Sequence, residues 1–298
     1  MKGIVLAGGT GSRLFPSARS ISKHLFPVYD KPMFYYPISV LMMAGIREIL
    51  LITNPESLPL MRQAIGTGSS LGIEIQYAVQ PEPKGIAEAL LIGREHIRGS
   101  RSALILGDNI FHGEGFEGLL SEAVSSDSGC TLFGCKVGDP RQYAVAGFGE
   151  RGRFETLVEK PAAPQSDYAV TGLYFYDRDV VEIAENIAPS ERGELEITDV
   201  NRVYLDKGRA ELVTMGNEIT WLDLGTEESL LEGSRYVSAT ARGAGVRVAC
   251  LEEIALRMGF IGPEECYRLG EEMRNSPYGV YVMEAARRAA GVWQGAGV

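Results

Sequence analysis

The chain has 298 residues, 45% hydrophobic and 23% charged, with a formal net charge of −10. That balance supports an ordinary globular core, and the acidic excess argues against DNA or RNA as the main partner, which calls for a basic surface. Four cysteines without a CxxC pair and three scattered histidines exclude a zinc pattern, and no run approaches the ~20 apolar residues of a membrane span.

Residues 2–7 read as a buried strand. Gly8 and Gly9 interrupt this apolar stretch too early for a signal peptide, so a cytoplasmic location is expected. The loop that follows, Leu6-Ala-Gly-Gly-Thr-Gly-Ser-Arg13, carries Gly8, Gly9 and Gly11. Without Cβ atoms there, backbone N–H groups can close around a phosphate or ribose. A loop leaving the carboxyl end of a parallel strand is where α/β proteins bind ligands. The string is neither a Walker A loop nor a GxGxxG fingerprint, because Leu14 fills the slot of the third glycine. Arg13 closes the loop and Lys23 follows in Ser22-Lys-His-Leu-Phe-Pro27. A planar fork and a mobile point charge can together hold a triphosphate and stabilise departing pyrophosphate.

Next come a helix over 37–44, a strand over 48–52, a helix over 60–65, a strand over 73–79, a helix over 85–96 and a strand over 102–106. This rhythm predicts a parallel sheet covered on both faces. The last strand ends in Gly107-Asp108, which sets Asp108 near the glycine loop, and Trp221-Leu-Asp-Leu-Gly-Thr226 presents Asp223 beside another glycine. Mg²⁺ favours one or two carboxylates completed by phosphate oxygens and water, which this pair can supply. An aspartate after a strand is more often a turn or cap residue, and spacing alone does not bring two such distant residues together.

Strands are expected over 129–137, 143–148, 156–159 and 168–176, and helices over 181–187 and 198–207. Beyond 235 the pattern is mostly helical and ends in a glycine-rich tail, 291–298, read as frayed. Glu159-Lys160-Pro161 ends a strand, where the lysine can grip a sugar phosphate and the glutamate can accept bonds from hydroxyls. Gly172 inside a strand marks either a bulge or the close approach of a ligand or another backbone. The acidic Gly193–Asp199 stretch reads as the start of a helix, its acids serving as capping residues.

The segments LAGGTGSR, SKHLFP, QPEPKGIAEA, LGDN, VEKP, YAVTGLYFYD, GELEITD and WLDLGT occur in this order. As a set the chain resembles the glucose-1-phosphate thymidylyltransferase family, short bacterial type, from Met1 to about Tyr281. The resemblance implies an α/β, Rossmann-like nucleotidyltransferase core over 1–235, its mostly parallel sheet flanked by helices. It also implies a helical region over 236–298 used in assembly, commonly a homotetramer. The implied reaction joins glucose 1-phosphate to dTTP with Mg²⁺, giving dTDP-glucose and pyrophosphate without a covalent enzyme intermediate. Carried over, Arg13 and Lys23 are the catalytic cations, and Asp108 and Asp223 hold Mg²⁺. Leu6, Gly8, Gly9, Gly11, Gln80 and Gly85 meet the nucleotide, the slim Gly85 letting the base sit close. Gly107, Tyr143, Glu159, Lys160, Val170, Gly172, Tyr174 and Arg192 frame the sugar phosphate. Cys250 to Phe260 resembles a second, regulatory nucleotide site. Three residues depart from the family pattern: Ala144 for a glycine, Glu88 for a glutamine and His112 for a tyrosine. Two alternatives stand beside this reading: a uridylyltransferase that uses UTP, and a non-catalytic nucleotide-sugar binding protein.

Overall fold

In β1 (Lys2–Ala7), Val5 and Ala7 enter one apolar cluster while Ile4 and Leu6 enter another, so this central strand is buried on both faces. The computed structural model describes residues 1–9 and 11–291. After β1 come β2 (Pro27–Val28), β3 (Lys31–Pro32), α1 (Tyr35–Met43), β4 (Glu48–Thr53), α2 (Leu58–Ile65) and β5 (Glu74–Val79). The chain continues with α3 (Glu88–Ile92), α4 (Arg94–Ile97), β6 (Ser102–Leu106), β7 (Asn109–Gly113), α5 (Phe116–Ser125), β8 (Cys130–Lys136), β9 (Ala144–Phe148) and β10 (Phe154–Glu159). Then follow β11 (Tyr168–Tyr176), α6 (Val180–Glu185), α7 (Ile197–Asp206), β12 (Ala210–Thr214), β13 (Ile219–Asp223), α8 (Glu227–Gly243), α9 (Leu251–Arg257), α10 (Pro263–Glu272) and α11 (Pro277–Ala289).

The main sheet has nine strands, ordered β10-β9-β11-β6-β1-β4-β5, with β8 paired to β11 and β12 to β8. Its half β6-β1-β4-β5 is parallel, as the strand–helix rhythm predicts. Ile49 and Leu51 of β4, and Ala103 and Ile105 of β6, join the cluster of Val5; Leu50, Ile52 and Leu104 join that of Ile4. Helices therefore cover both faces, and the carboxyl ends of β1 and β6 open together. In the other half β11, β9 and β10 add antiparallel, while β12 runs parallel to β8.

The C-terminal helices share the core: Leu251, Ile254, Val282 and Ala286 belong to the same cluster as Val5 and Ile38. α8 carries the chain across position 235 without a break. Among the described residues no helix is long and apolar enough to cross a membrane. The tail read as frayed lies, apart from Gly291, outside the described residues, as does Thr10 of the glycine loop.

Two sequence expectations need correction. The single helix over 85–96 is two short ones, α3 and α4, meeting at Gly93. It cannot begin earlier because the Ala87 N–H donates to Leu195 O (3.1 Å) and the Leu195 N–H to Lys84 O (2.8 Å), which ties the 84–87 segment to another loop. Nor are the acids before α7 caps: no side chain caps that helix, and the Glu196 carboxylate instead accepts from Ser190 Oγ and Arg192 Nη2, both at 2.8 Å.

Candidate active site

The glycine loop leaves β1 where the sheet opens. Gly11 has φ +63°, a conformation that costs a glycine nothing, and it starts the 3-10 turn Ser12–Leu14 that delivers Arg13. A Cβ on Gly8 would stand 2.4 Å from Gln80 Oε1, so the buried Gln80 side chain lies directly beneath the loop. Leu6 sits at the carboxyl end of β1, and its carbonyl accepts from the Gly107 N–H at 2.8 Å, tying Gly107-Asp108 to the root of the loop.

The two aspartates meet. Short strands β7 and β13 pair antiparallel, with Asp223 directly opposite Asn109, and the Leu224 N–H donates to Asp108 O at 3.0 Å. Lys23 Nζ donates to Asp108 Oδ2, the two side chains being only 10% and 14% exposed. Arg13 comes from the other side: a Cβ built on Gly225 would stand 2.9 Å from Arg13 Nη2 and 3.3 Å from Asp223 Oδ1. Burial alone pushes the Asp108 carboxyl up, but the Lys23 charge and hydrogen bonds from Lys23 and Asn109 reverse this and hold it well down. Asp223 is pushed up by burial and then by the charge on Asp108, against partial relief from Lys23, Arg13 and Lys160.

Two carboxylates brought to one corner, one of them raised by its neighbour's charge, are donors of the kind a divalent cation takes. Among the described residues no group of three or more His, Cys, Asp or Glu is placed to hold a metal. Two carboxylates from neighbouring strand ends are a donor set that a divalent cation completes with phosphate oxygens and water.

The residues expected to frame the sugar phosphate line the antiparallel half. Glu159 ends β10, its Oε2 accepting from Thr198 Oγ1 at 2.6 Å and its Oε1 lying 3.3 Å from Lys160 Nζ. Lys160 has φ +42°, turning the chain at the strand end, and its N–H donates to Tyr143 O at 3.0 Å. The Tyr143 ring packs edge-on to Trp221 at 5.1 Å, two residues from Asp223. Val170 and Tyr174 are buried beneath, and burial, then Glu159, pushes the Tyr174 phenol up. Arg192 is exposed and engaged with Glu196. At Gly172 the bulge is present: the β11–β8 register shifts between Val170 and Tyr174, and the Gly172 N–H donates to Asn109 Oδ1 at 3.1 Å.

Asn109 is the residue that sequence reasoning missed. It is 1% exposed, donates to Asp108 Oδ1 at 3.0 Å, and its own Oδ1 accepts from Gly172 N and from Trp221 Nε1 (2.7 Å). One amide thus ties β7, β11 and β13 around Asp108. The available signal was its place immediately after Asp108 in LGDN, where a polar residue enters an otherwise apolar strand. Gly85 has a reason other than room for a base: its φ is +101°, and a Cβ there would stand 2.3 Å from Leu195 O.

His24, beside Lys23, carries a pH dependence. It is 2% exposed, and burial followed by the Lys23 charge lowers its imidazole from 6.5 to about 3. The folded protein therefore refuses a proton that the unfolded chain accepts at the ordinary value. Stability from this group is complete above pH 6.5 and is lost as the pH falls from there toward 3. At about pH 4.5 the expected loss is roughly 2–3 kcal/mol, read from urea midpoints across pH, and His24→Gln should flatten the slope.

Comparison with known proteins places the chain in a wider set. A family model described as nucleotidyl transferase matches residues 2–240. The chain is 49% identical over 289 residues to a glucose-1-phosphate thymidylyltransferase of Xanthomonas campestris pv. campestris, covering 97% of this chain and 98% of that one. It is 47% identical over 288 residues to one from Mycobacterium tuberculosis, covering 97% and 100%. Among solved structures, a Bacillus anthracis protein assigned as a glucose-1-phosphate thymidylyltransferase, in complex with sucrose, superposes with a TM-score of 0.74 at 38% identity, over 79% of this chain and 94% of that one. A UDP-glucose pyrophosphorylase complexed with UDP-glucose superposes with a TM-score of 0.71 at 22% identity, over 80% and 98%, a likeness of fold.

Proposed function

The chain belongs to the nucleotidyl transferase family, among the glucose-1-phosphate thymidylyltransferases, and from that premise we propose that it condenses glucose 1-phosphate with dTTP to dTDP-glucose and pyrophosphate. The observation that carries this reading is the meeting of Asp108 and Asp223, through the β7–β13 pairing, beside Lys23 and Arg13 at the mouth of the glycine loop. A phosphate monoester has a second pKa of about 6, so the sugar phosphate is largely dianionic at neutral pH and needs no general base. One of its oxygens attacks the α-phosphorus in line, the new P–O bond forms, and the bond to the β-phosphate oxygen breaks to release pyrophosphate.

Amides of Gly8, Gly9 and Gly11 hold the triphosphate, with Leu6 at their root and Gly107, bonded to Leu6, on the side of the sugar phosphate. Arg13 and Lys23 take up charge on the departing pyrophosphate. Asp108 and Asp223 would hold Mg²⁺, which supplies further neutralisation of the phosphates when bound. Gln80 and Gly85 take the base. Tyr143, Glu159, Lys160, Val170, Gly172, Tyr174 and Arg192 position the sugar phosphate, Lys160 on its charge and Glu159 on its hydroxyls. Positioning and electrostatics carry the rate.

The same reading includes a cytoplasmic homotetramer. Leu231 on α8 and Val280 on α11 expose apolar side chains that a subunit contact would cover. It also includes a regulatory nucleotide-sugar site at a cavity of about 290 Å³, lined by His112, Arg247, Glu253 and Arg257. The test of the reaction is pyrophosphate release with glucose 1-phosphate and Mg²⁺, pairing dTTP, UTP and CTP in turn. Release with dTTP that Asp108→Ala abolishes is expected. No release with any pyrimidine triphosphate overturns the reading. UTP differs from dTTP by one methyl, a difference worth only about 1–3 kcal/mol, so measurable use of UTP is expected as well.

A further inference from the structure

Gln80 directly follows β5, and its side chain is held on one side only by acceptors. Its Nε2 donates to Glu88 Oε2 at 2.7 Å and, at longer range, to Gly85 O at 3.4 Å. A carboxylate and a backbone carbonyl accept hydrogen bonds and donate none. Rotating the amide by half a turn would set Oε1 against both oxygens, so the chemistry of its neighbours fixes the orientation. With Nε2 so engaged, Oε1 faces Gly8 and the nucleotide loop as a fixed acceptor. Gln80 is 3% exposed and its N–H is anchored on Thr53 O at 2.9 Å, which leaves little freedom to relax.

A fixed acceptor distinguishes pyrimidines by one atom. In thymine and uracil N3 carries a hydrogen and donates; in cytosine N3 is bare and accepts. We propose that Glu88 is a positioning residue that locks the Gln80 amide, so that the site takes imide pyrimidines and rejects cytosine. This rests on the reading of Gln80 as a base contact in the proposed reaction. It gives a role to Glu88, whose departure from the family pattern the reaction itself leaves unexplained.

The experiment compares kcat/KM for dTTP, UTP and CTP in the wild type, Glu88→Ala and Glu88→Gln, with thermal melts to check folding. Removing the carboxylate frees the amide to turn, so the dTTP:CTP ratio is expected to narrow at least tenfold in Glu88→Ala, mostly through KM. The glutamine variant, which can donate or accept, should narrow it less, and it carries the test if the alanine variant fails to fold. The dTTP:UTP ratio should not move, because both bases present the same N3–H. Equal loss for all three nucleotides, with ratios unchanged, means that Glu88 only braces the fold and overturns the proposal. If the wild type releases no pyrophosphate with dTTP, the reading of the reaction fails instead. The role of Glu88 is then decided by binding of dTDP against CDP to the same proteins: an unchanged preference in the variants overturns it, a narrowed one supports it.

Discussion

Lys23→Met is expected to cut pyrophosphate release by about 10²–10³-fold and to destabilise the protein by roughly 3 kcal/mol, two losses with one electrostatic cause. The Lys23 ammonium lies against Asp108 in a nearly dry setting, both side chains being under 15% exposed. Methionine keeps the length and the apolar stem but removes the charge. Asp108 is then a buried carboxylate facing Asp223 with its closest counter-charge gone, and removing one partner of such a pair leaves the full desolvation penalty of the other. The activity falls for a different reason, since the cation that accepts charge on the leaving pyrophosphate is missing. The double variant Lys23→Met with Asp108→Asn separates the two. It should recover most of the lost stability in urea titrations and none of the activity. Failure of the second change to restore stability would show that Lys23 matters through its packing, and near-normal turnover by Lys23→Met would remove it from the chemistry.

What the sequence makes legible follows from the range over which it speaks. The run ending in Gly107-Asp108 is local, so the strand and the aspartate at its carboxyl end are readable, as are the glycine loop and Lys23 shortly after it. The apolar run that buries β1 on both faces is written within six consecutive residues. The meeting of Asp108 with Asp223 depends on two five-residue strands, β7 and β13, that pair across more than a third of the chain. No periodicity encodes such a pairing; the ordered motifs and the family resemblance carry it. Asn109 escaped for the same reason, because its three partners lie on β6–β7, β11 and β13 and none is close in sequence except Asp108. The helix expected over 85–96 fails at its start because bonds to Leu195 outrank helix propensity there. Glu88 stood out as a departure, yet its contact with Gln80 needs the turn between them to fold the chain back on itself.

Gly85→Ala is expected to be a severely damaging methyl, costing more than about 3 kcal/mol or displacing the 84–87 segment altogether. Its φ of +101° lies where an L side chain is strained whatever the space, and the added Cβ would meet Leu195 O at 2.3 Å and Leu195 N at 2.6 Å. Backbone cannot step aside as a side-chain tip can, so the loop must pull back. In doing so it breaks the Ala87-to-Leu195 and Leu195-to-Lys84 hydrogen bonds. The consequences spread to function through neighbours. Glu88 begins α3 directly after this segment and holds Gln80, while Glu196, beside Leu195, holds Arg192. The base side and the sugar side of the cleft are therefore disturbed together, and KM for dTTP and for glucose 1-phosphate should both rise at least tenfold. Gly118→Ala is the control for the substitution itself, since Gly118 lies inside α5 with nothing within 4 Å of the new methyl. There the change should stabilise by about 0.5–1 kcal/mol and leave both KM values alone. A Gly85→Ala protein with wild-type stability would mean that the contact with Leu195 is not what demands glycine. Its KM for dTTP alone would then show whether the base needs the space.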